Sequence, residues 1–380
     1  MTEADWMTAQ KLTLREVKEK QDLMTFIRFP WRVYQGNPYW VPPLIKDQLQ
    51  KFNPESPFRS HAEMILFLAY RGEEIVGRIA GVIDHHYVEF HQEKVGFFGF
   101  FESIDDNEVA RLLLSKVAAW LKERGMEKMA GPMNPSTNDE CGLLIDAFES
   151  SPCLMMPYNF PYYPALLEDA ALHKVMDLYA YWLHKDVFHY DRLDRITSRI
   201  LKREPKLSVR PLNMRRFDEE LKIIKDIYNN SWSKNWGFVP MTEEEIDELA
   251  QNLKPIIVPE IVLFAYWGEI PVGFSAALPD YNLVLKHLNG KLGLLGTIKF
   301  LYLSRKINTV RIMLLGVKHA FQKKGIEGLL YIETFKRGTK KGYPQGECSW
   351  ILENNLLMQH GIEAMGGKRY KTYMIYETPI

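Results

Sequence analysis

The chain repeats itself, and that repetition constrains its fold more than any other feature. Residues 65–84 read ILFLAYRGEEIVGRIAGVID, and residues 261–280 read IVLFAYWGEIPVGFSAALPD. At a fixed offset of 196, Tyr70 meets Tyr266, Gly72 meets Gly268, Gly77 meets Gly273, Ala80 meets Ala276 and Asp84 meets Asp280. The same offset sets Trp40 of NPYWVPP over Trp236 of SKNWGFVP, and LEDAALHKVMDLYAY (167–181) lies over IEAMGGKRYKTYMIY (362–376) at an offset of 195. Three matches in order at nearly one offset read as one fold written twice in 380 residues, a length that already suggests two domains.

Each matched segment sets apolar, β-branched and aromatic residues on both sides of a short Gly/Glu turn, the pattern of a β-hairpin. Around it both halves follow the order helix, hairpin, strand, helix, strand, helix, strand. In the first half this predicts a helix over about 15–30, strand 96–102, helix 107–124, strand 127–132, a helix near 162–171 and strand 175–183. In the second it predicts helices 216–230 and 242–252, strand 311–317, helix 325–341, strand 346–352, helix 353–365 and strand 370–377. Strands alternating with helices imply an α/β fold, each half a twisted mixed sheet flanked by helices. The expected boundaries are 1–185, a charged connecting segment at 186–208, and 209–380. The halves differ by insertions: around 131–164 in the first, and 281–311 between hairpin and strand in the second.

Composition narrows the function. The 48 Lys+Arg balance 48 Asp+Glu, which argues against a nucleic-acid partner held by overall charge. Three widely spaced cysteines with no CxxC pair suggest neither a disulfide framework nor a zinc finger, and fit a reducing cytoplasm. The opening MTEADWMTAQ lacks a basic region and an apolar core, and no uncharged apolar run of 18 residues occurs, so neither a signal peptide nor a spanning helix is expected. His85, His86 and His91 with Glu89 and Glu93 follow no zinc spacing, and no metal is expected.

The second half carries LLGVKHAFQKKGIEG (314–328) and SWILENNLLMQHGIEAMGGKRYKTYMIYE (349–377) in the order strand, loop, helix, strand, helix, strand. In these segments the chain resembles the GNAT superfamily of acyl-CoA-dependent acyltransferases, as a tandem member. The resemblance implies acetyl-CoA or a longer acyl-CoA as co-substrate. It assigns Gln322, Lys323, Lys324, Gly325, Ile326, Glu327 and Gly328 to a pyrophosphate loop, although Glu327 stands where the family has its second small residue. A Gly-led turn opening a helix exposes backbone N–H groups and the positive end of the helix dipole, both suited to phosphate. Asn354 and Asn355 would lie near the thioester, or cap a helix; the backbone of Leu315, Gly316 and Val317 would pair with pantetheine as an added strand.

The family's usual general acid, a Tyr, falls at Ile362 and is missing; Tyr370 or Tyr373 would substitute. Glu347, with Ser349 on the same strand face, is the first choice of general base, and His319 the second. Trp232, Asn235, Trp236 and Phe238 lie where the family places acceptor contacts. The first half instead has an acidic turn, Ser103-Ile104-Asp105-Asp106, without Gly or Lys, and reads as a degenerate copy. Its polar insertion reads as a surface loop, or as one that offers Asn138, Asp139 or Glu140 to the acceptor. Residues 281–311 hold six Lys/Arg and no acid among apolar side chains, the composition of an interfacial segment on an anionic bilayer or of a helical lid. Three readings stay open: acetyl transfer to a soluble primary amine, the superfamily default; long-chain acyl transfer to an amino-lipid, as in a bacterial ceramide synthase; and acyl-CoA binding without catalysis.

Overall fold

A computed structural model describes residues 10–380, so nine of the ten residues considered for a leader lie outside it. The chain divides into two compact units. The first holds the described residues up to Asp177 together with Leu285–Thr297 and Tyr373–Ile380; the second holds Leu178–Val284 and Ile298–Thr372. The units therefore cut the chain differently from the two sequence halves.

The first unit contains β1 (Leu12–Glu16), α1 (Lys20–Val33), α2 (Ile45–Lys51), the hairpin β2 (Ala62–Arg71) and β3 (Glu74–Asp84), α3 (His85–His91), β4 (Val95–Ser103), α4 (Asn107–Glu123) and β5 (Lys128–Gly131). Short strands β6 (Met133–Asn134), β7 (Glu140–Cys141) and β8 (Leu143–Leu144) follow, then α5 (Tyr163–Asp169) and the start of β9 (His173–His184). Strands β1 to β4 pair antiparallel in order, and β4 then pairs with β5 in parallel. Helix α4 buries Val109, Ala110, Leu113, Leu114, Val117 and Leu121, the three- and four-residue spacing of one helical face, into this unit's core. Gly125, at φ 81°, ends it in the left-handed region that glycine enters without penalty.

The second unit repeats the plan with α6 (Tyr190–Arg203), β10 (Leu207–Pro211), α7 (Phe217–Ser231), α8 (Glu243–Leu253), the hairpin β11 (Val262–Trp267) and β12 (Ile270–Pro279), and α9 (Asn282–Leu285). After these come α10 (Leu294–Ser304), whose residues up to Thr297 belong to the first unit, β13 (Thr309–Val317), α11 (Ile326–Lys340), β14 (Gln345–Leu352), α12 (Leu356–Ala364) and β15 (Lys368–Pro379), which belongs to the first unit from Tyr373 on. Strands β10 to β13 pair antiparallel, and β13 pairs with β14 in parallel. Two edge strands escaped the sequence reading. They keep the repeat: Leu12 lies opposite Arg71, and Leu207, 195 residues on, lies opposite Trp267, 196 residues on. The expected connecting segment is helix α6, whose Leu193, Ile196 and Ile200 pack into the second unit's core, followed by strand β10.

Each sheet is completed by the last strand of the other sequence half. In the first unit, Tyr376–Pro379 of β15 lie antiparallel to β5; in the second, Leu178–His184 of β9 lie antiparallel to β14. Tyr376, 1% exposed, belongs to the first unit's core although it stands four residues from the chain's end. Tyr376→Ala is therefore expected to cost about 3–5 kcal/mol, as for a large buried aromatic. Native-state hydrogen exchange should show the amides of Lys128–Gly131 losing protection while those of Gln345–Cys348 keep theirs; loss confined to the second set would refute this assignment.

Candidate active site

The second unit's sheet parts at its middle. Strands β13 and β14 pair only from Thr309↔Gln345 to Ile312↔Cys348. Beyond that point β13 continues against β12 as far as Gly273↔Val317, and β14 continues against β9 as far as Leu352↔Leu178. Both outer pairings are irregular at the divergence. The β12–β13 register passes from Ala276↔Leu314 to Ala277↔Ile312, making Met313 a bulge residue, and β14 bulges against β9 between Cys348 and Ile351. A bulge turns a strand out of its plane and takes one amide out of the ladder. From Met313 to Val317 the edge of β13 that faced β14 therefore has no β14 partner, the kind of edge to which an extended ligand can add as a strand.

A buried polar cluster sits at the apex. Glu347, fully buried, accepts a hydrogen bond from Ser349 Oγ at 2.5 Å through Oε1 and one from Tyr370 Oη through Oε2. Arg311, on the neighbouring strand at the register position opposite Glu347, donates from Nε to Ser349 Oγ at 2.9 Å and lies 3.5 Å from Glu347 Oε1. Strand alternation puts residues 347 and 349 on one face, and parallel pairing puts Arg311 on that same face. The Arg311 guanidinium lies over the Trp350 ring, and Trp182 meets Tyr370 edge-on with centroids 5.4 Å apart. Of the four polar members, Tyr370 alone is partly exposed. Desolvating a carboxylate and a guanidinium is expensive, and such clusters concentrate where chemistry needs held charges. The neighbouring Cys348 is no nucleophile: burial and the Glu347 charge push its thiol up to about 12.

The loop after β13 opens α11 at Gly325, whose φ of 83° and whose position 3.0 Å from Ile200, measured from where a Cβ would stand, both call for glycine. Gly325 has no side chain to cap the helix. Gln322 fastens the loop by donating from Nε2 to the carbonyl of Val317 at 3.0 Å. Lys323 is exposed, whereas the Lys324 ammonium rests over Trp267 and Phe321. Ile326 is core and Gly328 has open space around it. The departing residue, Glu327, folds its carboxylate back onto its own amide and that of Lys323, while burial holds its pKa above the usual carboxylate range.

The other expected residues divide. Asn355 caps α12, accepting from the Met358 amide at 3.3 Å, and Asn354 is exposed. Leu315, Gly316 and Val317 take their places on β13, and a Cβ on Gly316 would meet the Trp232 ring at 2.6 Å. Trp232, partly buried, packs against the strand with Tyr228 and Phe274, and Phe238 is buried beside Tyr228. Asn235 and Trp236 are partly buried in the turn after α7. His319 pairs with Ser233 at 3.2 Å, on the loop and outside the apical cluster. Tyr373 also stands outside it, in the first unit opposite Leu144. Arg311 is the member the sequence reading missed.

The first unit shows the same parting, closed. Strands β4 and β5 pair from Val95↔Lys128 to Phe97↔Ala130 and stop. There the chain's own insertion fills the gap: Asn134 Oδ1 accepts from the Phe100 amide at 2.6 Å, and the Met133 carbonyl occupies the space a side chain on Gly99 would need. Helix α4 is capped by Asp106, which accepts from the Glu108 amide at 2.8 Å and pairs with Arg71 at 2.8 Å. A carboxylate from the residue before the helix thus holds this terminus, whereas in the second unit the carboxylate comes from Glu327 inside the first turn. Asp139, in the same insertion, accepts from Ser136 at 3.0 Å and lies 3.7 Å from Lys51; Asn138 and Glu140 are partly buried beside it in sequence. His86 stacks on His61, itself bonded to Asp84, and among the described residues no group of three or more His, Cys, Asp or Glu could hold a metal ion.

No family model matches the chain. Protein YghO of Escherichia coli (strain K12) is 34% identical over 374 residues, covering 97% of this chain and 95% of that protein. The Bacterial ceramide synthase of Caulobacter vibrioides (strain NA1000 / CB15N) is 34% identical over 380 residues, covering 97% and 98%. Among solved structures, a tandem GNAT protein from the clavulanic acid biosynthesis pathway matches with a TM-score of 0.57 over 97% of this chain and 98% of that one, at 10% identity. The chain belongs to the family of these two relatives, and its fold is that of the tandem GNAT protein. The mixed α/β fold expected from the repeat is the fold observed. The parted strands and the Gly-led helix start are the features to which the expected acyl-CoA site attaches.

Proposed function

We propose that this GNAT protein is an acyl-CoA-dependent N-acyltransferase whose second unit carries acyl groups to the primary amine of an amino-lipid. The observation that carries the catalytic reading is the Glu347–Ser349–Tyr370–Arg311 cluster at the apex of the cleft between β13 and β14. The choice of acceptor leans on the relative named as a bacterial ceramide synthase. That kinship moves preference away from the acetyl group and soluble amine that the superfamily suggests by default. In this reading the first unit, with its parting filled and its helix capped by Asp106, is a degenerate copy.

The pantetheine arm lies along β13 from Met313 to Val317 and the pyrophosphate lies at the Gly325 turn. Tyr370 is the exposed end of the cluster and meets the incoming amine. The ammonium gives up its proton through Tyr370 to Glu347, and the neutral amine attacks the thioester carbonyl. Collapse of the tetrahedral adduct breaks the C–S bond, and the second amine proton leaves with the CoA thiolate. Arg311 and Ser349 hold the carboxylate in place throughout. Glu347→Gln keeps the shape of the cluster but removes the proton acceptor. Its kcat should fall about 10²- to 10⁴-fold with acyl-CoA affinity close to wild type, while the buried Arg311 charge left without its carboxylate lowers the melting temperature. The check is release of free CoA thiol with a long-chain acyl-CoA and a long-chain amino alcohol; wild-type turnover unchanged by the substitution would remove Glu347 from the mechanism.

Glu327 tunes the co-substrate site. As pH rises through its raised pKa, its carboxyl becomes negative on the amides that phosphate would take. CoA binding should therefore weaken with rising pH more in wild type than in Glu327→Gln. One such repulsion, about 1 kcal/mol near the surface, gives about fivefold in Kd where the carboxyl is fully ionised. Calorimetric titration of CoA across a pH series decides it: parallel profiles for the two proteins would clear Glu327 of this role.

A further inference from the structure

Helix α10 presents its apolar side to solvent. Leu294 and Leu295 are each 82% exposed, and Ile298, Leu301 and Tyr302 are each 60% or 61% exposed. Their spacing of one, four, seven and eight from Leu294 places all five on one face of the helix, the stripe that a surface helix ordinarily buries. The side turned inward carries Phe300, stacked on Tyr281 at 5.3 Å, with the partly buried Leu303 and Ser304. No residue of the helix is fully buried. Single exposed leucines are unremarkable, but a contiguous stripe of five large apolar side chains marks a surface that meets something apolar.

The charge around the stripe identifies the occupant. Lys291 precedes the helix, Lys299 lies on it, and Arg305 and Lys306 follow it, all exposed, with no acidic residue anywhere in 281–311. Apolar side chains ringed by cations alone fit an anionic lipid surface, where leucines enter the acyl boundary and the ammonium and guanidinium groups stay at the phosphates. Tyr302, with the Lys306 ammonium 4.5 Å from its ring centre, is an amphipathic side chain suited to that boundary. At 11 residues the helix is too short to span a bilayer, so it lies in the interface.

We infer that α10 docks this protein on the surface of an anionic bilayer. The inference deepens the amino-lipid reading, on which it rests for its purpose: a long-chain amine resides in a membrane, and an enzyme held there meets it without extracting it into water.

The test is flotation of the full-length protein with vesicles of phosphatidylcholine alone and with phosphatidylglycerol added, without substrate. Wild type should partition at least tenfold more strongly onto the anionic vesicles. Replacing Leu294, Leu295 and Ile298 by Ser should lower that binding at least tenfold. Replacing Lys291, Lys299, Arg305 and Lys306 by Gln should abolish the preference for anionic lipid. Binding equal to wild type in the Ser variant, or no binding of wild type to either vesicle, would overturn the proposal. So would a self-association in sedimentation that the Ser substitutions abolish while vesicle binding is absent, which would assign the stripe to a second copy. Acyl transfer to the long-chain amine in detergent micelles, which needs no bilayer, separates the two ideas. Turnover in micelles without vesicle binding sinks the docking and spares the acceptor; vesicle binding without turnover does the reverse.

Discussion

The architecture of the second unit depends on a pairing that stops. Strands β13 and β14 share four register positions and then part, each keeping its other neighbour. Backbone groups on the facing edges have left the ladder, and buried backbone polar groups need partners. A substrate that is itself a chain of amides can supply them along β13. At the apex, where the strands are still close enough for Arg311 to stand opposite Glu347, the sheet encloses an ion pair and a serine that an apolar core would exclude. The cleft and the charged cluster are two results of one divergence.

Comparison of the two copies shows how a sheet can keep its topology and close its site. Both have the antiparallel run, the parallel pair and the split. In the first, Asn134 bonds the Phe100 amide and Asp106 caps the following helix, so the groups left exposed by the split and by the helix start are satisfied from within. In the second, the helix start has a glycine and no cap from the residue before it. Glu327 is the partial exception, a carboxylate that turns back onto the Lys323 amide where the first copy has Asp106. The difference between the copies is local chemistry at two chain turns on an unchanged fold.

Much of this was legible in the sequence, for physical reasons. The hairpins were readable because period-two patterning and turn glycines are local signals, and the repeat confirmed each from the other. Glu347 and Ser349 were readable as a pair because strand alternation fixes their shared face. Arg311 was not: it was counted with the basic insertion, although a lone cation entering an apolar strand beside a lone buried acid was the available signal. Strands β1 and β10, five residues each, sit at sheet edges and carry too few alternations to stand out from the charged segments around them. The exchange of final strands was hidden because β9 and β15 resemble each other at an offset of 195; their patterns say that each needs a sheet, not which one.

The central claim is that the chain has one acyl-CoA cleft, in the second unit, with its counterpart in the first closed by the chain itself. Amide hydrogen exchange of the whole protein with and without a non-reactive thioether analogue of a long-chain acyl-CoA tests it most directly. The account predicts slowed exchange along Met313–Gly328 and no change along Val95–Asp106. Protection of the first-unit segment, or none in the second, would contradict it.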